Sequence, residues 1–279
     1  MNVKMYFAML VMGVSAWTLQ SCDNDDDGLR MVSSALTNSL ETRHPGANRV
    51  EWEAEMGYYV ADFHEDGWEK SAWFTPDGVW QLTETEIRFT DLPAAVQTDF
   101  RNGWYASWQV EDVDKLERPE AEDVYVIGVE QGNQDVDLHY TADGILVKET
   151  GNGGSQGGVD YLPSQVPDGI LSFIDEHYPG ARIVETDREM NGYEVDIVHE
   201  GRGKDVVFDM NGEWTYTSWE IRLSEIPETV KGAALAQYPG YRLDDADYVE
   251  NSVESYYLLE LESGGREVMV KVAPDGVVL

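Results

Sequence analysis

Residues 45–87 and residues 179–221 align without a gap at an offset of 134, and 17 of the 43 aligned positions are identical. Pro45/Pro179, Gly46/Gly180, Ala47/Ala181, Glu55/Glu189, Met56/Met190, Tyr59/Tyr193, Asp62/Asp196, Phe74/Phe208, Gly78/Gly212, Trp80/Trp214 and Ile87/Ile221 are among them. A gapless match of this length marks a duplication, so whatever the first stretch folds into, the second folds into as well. The match continues downstream: Trp108-x-Val110-x-Asp112 parallels Tyr241-x-Leu243-x-Asp245, and Tyr125, Gly132, Asp143 and Gly144 parallel Tyr257, Gly264, Asp275 and Gly276. Between the copies lies Gly-Asn-Gly-Gly-Ser-Gln-Gly-Gly at 151–158, the composition of a flexible linker. The chain therefore reads as two homologous domains, 29–150 and 159–279.

Each domain is itself divided in two. The turn Asp77-Gly78 recurs at Asp143-Gly144, Asn211-Gly212 and Asp275-Gly276, at spacings of 66, 68 and 64. Asp-Gly and Asn-Gly between apolar runs mark hairpins, because both residues reach positive φ at small steric cost. A helical pattern opens each unit. Val32, Ala35, Leu36, Ser39 and Leu40 share one face, as do Val166, Ile170, Phe173 and Ile174. Asp91 before Leu92-Pro93 is a candidate N-cap for the second helix, and Ile226-Pro227 stands at the same place in the fourth unit. Pro-Gly then breaks the helix. Short runs follow at about 48–55, 58–64, 69–75 and 78–86, with the two-residue alternation of strands. Strands that succeed one another directly, with helices segregated to one side, predict an α+β fold of tandem helix-plus-antiparallel-sheet units.

The N-terminus predicts where the chain resides. Lys4 precedes an apolar run over 5–19 that ends in Leu19-Gln20-Ser21-Cys22, the order of a secretory signal. The run is short of the roughly 20 residues that span a bilayer. Its last four residues resemble the lipobox of bacterial lipoproteins, which implies lipidation of Cys22, removal of residues 1–21, and an exported, membrane-anchored protein facing the periplasm or the outer-membrane surface. Cys22 is the sole cysteine, so no intrachain disulfide forms. The net charge of −35 is spread along the whole length, which excludes nucleic acid as a partner and admits cationic proteins or divalent ions.

The series helix, Pro45-Gly46-Ala47, Glu55, Tyr59, Asp62, Phe74, Asp77-Gly78, Trp80 and Leu92-Pro93, with Trp108, Asp112 and their second-copy partners, resembles the PepSY-like family of exported proteins, also described as β-lactamase-inhibitor-like. The resemblance covers nearly the whole chain after the signal. It implies a small α+β module with a broad sheet face, suspected of binding or restraining other proteins, and it brings no shared catalytic motif.

The residues themselves offer no catalytic constellation. His44, His64, His139, His177 and His199 form neither His-x-His nor His-Glu-x-x-His. No nucleophile elbow or phosphate loop is present. Pairs such as Glu84/Glu86 and Asp244/Asp245 are what solvated surfaces of a chain with 54 acids carry. Asp23, Asp25 and Asp27, followed by Gly28, match the opening of a calcium loop, but the twelfth position is Ser34 instead of Glu, so 22–28 reads first as an acidic tether and only second as a calcium site. Trp52, Trp68 and Trp219 lack an aromatic counterpart in the other copy, where Thr186, Arg202 and Thr85 stand. A residue the fold requires tends to appear twice, so these three are the candidate partner-binding residues, with at least one of them expected to be exposed on the sheet face away from the helices. The resulting reading is a lipid-anchored, non-catalytic binding module for an envelope or extracellular protein, with a divalent-cation-responsive (calcium) envelope protein as the alternative.

Overall fold

The computed structural model describes residues 32–151, 158 and 161–279. Cys22, Asp23, Asp25, Asp27, the signal segment and most of the linker lie outside the described residues. In chain order the elements are α1 (Ser34–Arg43), β1 (Asn48–Glu55), β2 (Tyr58–Glu65), β3 (Trp68–Phe74), β4 (Trp80–Glu86), α2 (Ala94–Asn102), β5 (Gln109–Glu117), β6 (Val124–Gln131), β7 (Gln134–Thr141), β8 (Leu146–Gly151), α3 (Asp168–His177), β9 (Arg182–Glu189), β10 (Gly192–His199), β11 (Arg202–Asp209), β12 (Trp214–Glu220), α4 (Glu228–Gln237), β13 (Arg242–Glu250), β14 (Ser255–Ser263) and β15 (Arg266–Val272). The strands form two antiparallel meanders, an eight-stranded sheet in the order β1 to β8 and a seven-stranded sheet in the order β9 to β15.

Local chemistry sets the element ends. Ser33 caps α1 through its hydroxyl, which accepts from Leu36 N–H at 3.4 Å. Helices α2, α3 and α4 each begin just after a proline, Pro93, Pro167 and Pro227, whose missing N–H costs nothing there. Asp91 is not the cap expected from the sequence; it lies in a short 3₁₀ turn and pairs with Arg88 at 2.6 Å. The four turn glycines, Gly78, Gly144, Gly212 and Gly276, all have φ between 79° and 90°. Each also faces a helix start. A Cβ on Gly78 would sit 3.1 Å from Ala35 backbone atoms, and one on Gly144 would sit 2.8 Å from those of Ala95. The recurring glycine thus serves both the turn and the seat of the helix.

Every helix packs on one face of its sheet. Leu92, just before α2, and Val96 and Phe100 of α2 meet Val113, Ile127 and Leu138. Ile170 and Ile174 of α3 meet Val195, Ile197 and Phe208. Val230 and Ala234 of α4 meet Ala246, Leu259 and Val270. A further core contains no helix residue: Val60, Trp73, Leu82, Leu116, Val124, Val126 and Val147 from the first sheet join Tyr161 and then Val184 and Val198 from the second. The helix-free faces of the two sheets therefore cover each other in part. Gly158 lies directly on the Trp73 indole, where no side chain would fit.

Ion pairs border this junction. Arg118, just past β5, has a fully buried side chain and donates to Glu185 at 2.9 Å. Lys148 of β8 reaches Asp187 at 2.6 Å, and Arg182 bridges Glu122 at 2.6 Å and Asp143 at 2.8 Å. A register shift sets Asp196 opposite Glu185 but Ile197 opposite Ile183. The bulge lets the neighbours Val184 and Glu185 both face the first sheet. Residues 33–279 make one compact body.

Candidate functional site

Strand periodicity places the acids. Glu84 and Glu86 on β4, and Asp112 and Asp114 on β5, project from one face because residues two apart share it. That face is the helix-free one: Glu84 stands opposite Leu116, a member of the inter-sheet core, and Glu86 stands opposite Asp114. Asp62 joins them from β2, its carboxylate accepting from Ser71 Oγ at 2.6 Å. The Asp112 carboxylate folds over β6 at Gly128, where a Cβ would collide with it. Burial, followed by the charges of Asp112, Asp62 and Glu86, pushes Glu84 up to about 7. Burial, followed by Glu84, Asp112, Glu86 and Asp137, pushes Asp114 up to about 8. Glu84, expected to be plain solvated surface, is thus a half-buried carboxylate pressed by like charges, whereas its pair mate Glu86 is exposed and Asp244 is paired with Arg242 at 2.6 Å.

The second sheet repeats the device. Glu220 and Asp247 stand opposite each other as Glu86 and Asp114 do. Burial pushes Glu220 up to about 7, helped by Asp245, Glu149, Asp247 and Asp99; burial also pushes Asp205 up to about 7, helped by Glu194 and Asp247. Like charges directly opposed across strands are destabilising, so both copies carry an electrostatic cost at the same place.

Glu220 also lines a cleft of about 550 Å³ between the two copies. Asp99, Glu149, Glu200 and Glu225 share its walls with Arg202 and Arg222, so five carboxylates face two guanidinium groups. Arg202 is already held by Glu225 at 3.0 Å. Tyr105 donates to Glu149 at 2.7 Å, and burial with that carboxylate drives the phenol's pKa upward. On the rim stands Trp104, 82% exposed, in the 3₁₀ turn Trp104–Ser107. Among the described residues, no buried core cluster includes this indole.

Trp104 is not among the three tryptophans singled out from the sequence. Those three lie on the helix-bearing side, which corrects the expectation that at least one of them is exposed on the face away from the helices. Trp52 stands opposite the buried Ala61 and lines a hollow beside α1, 5.7 Å from Phe74. Trp68 stands opposite Glu65, which binds His44 beside α1, and Arg88 lies 5.5 Å from its ring. Trp219 packs on Tyr248 at 4.9 Å within the α4 core, with Lys204 Nζ 4.2 Å from its ring. All three are half-buried and the structure does not bring them together. The sequence signal for Trp104 was the run Gly103-Trp-Tyr-Ala-Ser-Trp108, an aromatic cluster in a segment too short to form a strand or long helix. Among the described residues, Glu111, Glu130 and Asp135 gather carboxylate oxygens at one hairpin end, and Glu185, Asp187 and Asp196 do so at the junction.

A family model described as PepSY-like and beta-lactamase-inhibitor-like matches residues 57–148, 159–202 and 197–279. A BLIP-like protein from Bacteroides fragilis NCTC 9343 shares 35% identity; the alignment covers 52% of this chain and 99% of that one, with a TM-score of 0.45. A DUF2874 family protein from Bacteroides ovatus ATCC 8483 shares 32% identity over 43% of this chain and 88% of that one, with a TM-score of 0.42. A protein from Bacteroides eggerthii DSM 20697, described as a candidate periplasmic protein, shares 23% identity over 46% of this chain and 95% of that one, with a TM-score of 0.43. The comparison with curated proteins finds no match.

Proposed function

The chain belongs to the PepSY-like, beta-lactamase-inhibitor-like family, and from that premise we propose that it is an exported binding module that captures the basic surface of another protein without catalysing a reaction. The observation that carries this reading is Trp104, fully presented to solvent on the rim of a cleft where carboxylates outnumber guanidinium groups. An exposed indole offers a large rigid contact, and Trp is enriched among the residues that dominate interface energetics. Its ring face also attracts Lys and Arg. The carboxylates of Glu84, Asp114 and Asp205, half-buried, and of Glu220, exposed in the cleft, support the same reading, because a cationic partner would relieve the repulsion around them.

In this reading the chain is held at the membrane through a lipid on Cys22 after removal of residues 1–21, with 22–28 as an acidic tether that also offers Asp23, Asp25 and Asp27 to calcium. Four copies of one helix-plus-sheet unit make up two domains, 29–150 and 159–279. Trp52, Trp68 and Trp219 act as secondary partner contacts through their exposed edges. Intact-mass measurement of the native protein tests the anchor: a lipidated chain starting at Cys22 is expected, and an unmodified chain starting elsewhere rejects it. Capture from native envelope extracts on immobilised protein tests the rest. A basic partner should be retained at low salt and released as salt rises, and Trp104→Ala should weaken its retention at least tenfold. Equal retention by wild type and Trp104→Ala would remove the cleft from the interface.

A further inference from the structure

The junction between the sheets holds buried polar atoms that the fold leaves without hydrogen bonds. Asp196 of β10 is 2% exposed and neither carboxylate oxygen accepts a hydrogen bond; His139 of β7 is 3% exposed and neither ring nitrogen has a hydrogen-bond partner. A buried polar group in this condition asks for an explanation. One cause accounts for both side chains. Carboxylate oxygens of Glu185, Asp187 and Asp196 lie within 4.8 Å of one another, and His139 Nδ1 lies 3.9 Å from Glu185 Oε2. We propose that His139 of the first sheet and Glu185, Asp187 and Asp196 of the second form a site for one divalent first-row transition ion, which clamps the two copies of the duplication together.

The donor chemistry selects the class of ion. Three carboxylates and one imidazole match the mixed nitrogen and oxygen sets that hold zinc, cobalt or manganese. Calcium takes six to eight oxygens and has no use for imidazole. Ligands of a zinc-like ion stand about 2.0–2.2 Å from it, so the three carboxylates would draw together on binding and the imidazole, 3.9 Å from Glu185 Oε2, would swing in to join them. Glu185 is already divided between two tasks: Oε1 accepts from Arg118 at 2.9 Å, while Oε2 turns toward His139.

Lys148 now supplies the positive charge. Its Nζ lies 2.6 Å from Asp187, 3.5 Å from Glu185 and 3.7 Å from Asp196. An ammonium on a flexible four-carbon stem, 22% exposed at the side chain, has a path to water. A divalent ion would replace this one charge with two while Arg118 stays in place. The matching acids of the first copy, Glu51, Glu53 and Asp62, are exposed, so they provide an internal control.

The test uses the full chain, with cobalt(II) as the probe, read by visible absorption and by thermal unfolding with and without the ion. Wild type should bind one cobalt per chain at this site, with the absorption of a low-coordinate nitrogen–oxygen complex and an upward shift in Tm. Lys148→Met should melt lower without the ion, bind cobalt at least tenfold tighter than wild type, and recover its Tm when cobalt is added. His139→Gln should lose the absorption and bind at least tenfold more weakly, and Asp196→Asn should do the same if the histidine variant fails to fold. Asp62→Asn should behave as wild type. Cobalt spectra and Tm shifts that are unchanged in His139→Gln or Asp196→Asn, or a Lys148→Met protein that cobalt does not restore, would overturn the proposal and leave an ordinary ion-pair network.

Discussion

Glu51, Glu53 and Asp62 in the first copy match Glu185, Asp187 and Asp196 in the second, yet the first three stand in solvent and the second three are covered. The local structure is the same, since Glu51 pairs with Asp62 across β1 and β2 as Glu185 pairs with Asp196 across β9 and β10. Val50, 37% exposed, and Val184, 1% exposed, differ in the same way. Duplication copies strand, register and side-chain direction; it does not copy what lies across the sheet. Across the second copy lie β8 and Arg118. Among the described residues, nothing equivalent lies across the first copy's acids, which are exposed.

The helix side shows the opposite behaviour. His44 and Tyr178 occupy the same place, just after α1 and α3. His44 Nε2 meets Thr83 Oγ1 at 3.0 Å, and Tyr178 OH meets Thr217 Oγ1 at 2.6 Å. Each threonine also accepts from a duplicated tryptophan, Trp80 at 2.9 Å and Trp214 at 3.0 Å. Different residues here keep one arrangement because each helix meets its own sheet, and that contact lies inside the repeated unit.

The sharpest way to break the contrast is one substitution made in both copies. Glu185→Ala leaves the fully buried Arg118 guanidinium without its partner, and removing one member of a buried pair costs about 3–5 kcal/mol. Glu51→Ala touches an exposed acid and should stay within about 0.5 kcal/mol. Urea unfolding of the two variants measures both. Equal losses would show that the junction contributes no more than the free edge does.

A second test concerns pH. Asp114 is raised to about 8 by burial and by the acids around it, so the folded state holds a proton that the unfolded state releases. The sign follows from linkage: stability from this group is full below its ordinary value near 4 and is lost as pH rises toward 8. Asp114→Asn should therefore change little at pH 5 and stabilise by about 1–2 kcal/mol at pH 8, a figure reduced for partial solvent access. If urea midpoints of variant and wild type move in parallel from pH 5 to 8, Asp114 is not the strained group.

The third test exchanges a residue between the copies. Burial holds His44 below its ordinary value, with the Glu65 hydrogen bond at 2.8 Å pulling the other way. A base depressed on folding is neutral in the folded state, so its contribution is present above about 6.5 and falls as pH drops below that value. His44→Tyr imports the side chain of the second copy. It should cost no more than about 1 kcal/mol at pH 7 and flatten the decline between pH 6.5 and 5 that wild type shows. An unchanged acid limb would place that decline elsewhere, His139 being the next candidate because burial, Lys148 and Arg118 hold it at about 3.

What was legible in the sequence follows the same division. Strand runs at 48–55, 58–64, 69–75 and 78–86 agree with β1 to β4 within about two residues, and the four Asp/Asn-Gly turns fall where they were expected. These are local properties: alternation, turn chemistry and helix breaking need no knowledge of the other copy. The face that each acid presents was legible too, since Glu84 and Glu86 are two apart. The half-burial of Glu84 and the crowding of acids around it were not, because they depend on Asp112 and Asp114, which come near only through pairing between β4 and β5. The junction acids were the least legible. Alternation cannot tell which sheet lies opposite, and the bulge that turns Glu185 toward Arg118 leaves no composition signal. The face that the three tryptophans occupy was illegible for a related reason: lacking a counterpart marks a residue as free to vary between copies, and the margin of a helix-bearing core allows that freedom as readily as a binding face does.

Two tryptophans differ by what surrounds them, and the Trp104 side of that difference is the smallest stability effect expected. Trp219 packs on Tyr248 and beneath Lys204 at the edge of the α4 core, so its removal opens a partly buried gap. A half-buried indole should cost about 2–3 kcal/mol on truncation to Ala, below the 3–5 of a fully buried aromatic. Trp104, 82% exposed and outside every core, should cost no more than about 0.5 kcal/mol. The two variants therefore differ by at least fourfold in stability loss, and acrylamide quenching of wild type should find Trp104 among the most accessible indoles. If Trp104→Ala proves as destabilising as Trp219→Ala, the indole is packed in solution. Its place as a binding anchor would then fall, and the acidic cleft would have to recruit a partner by charge alone.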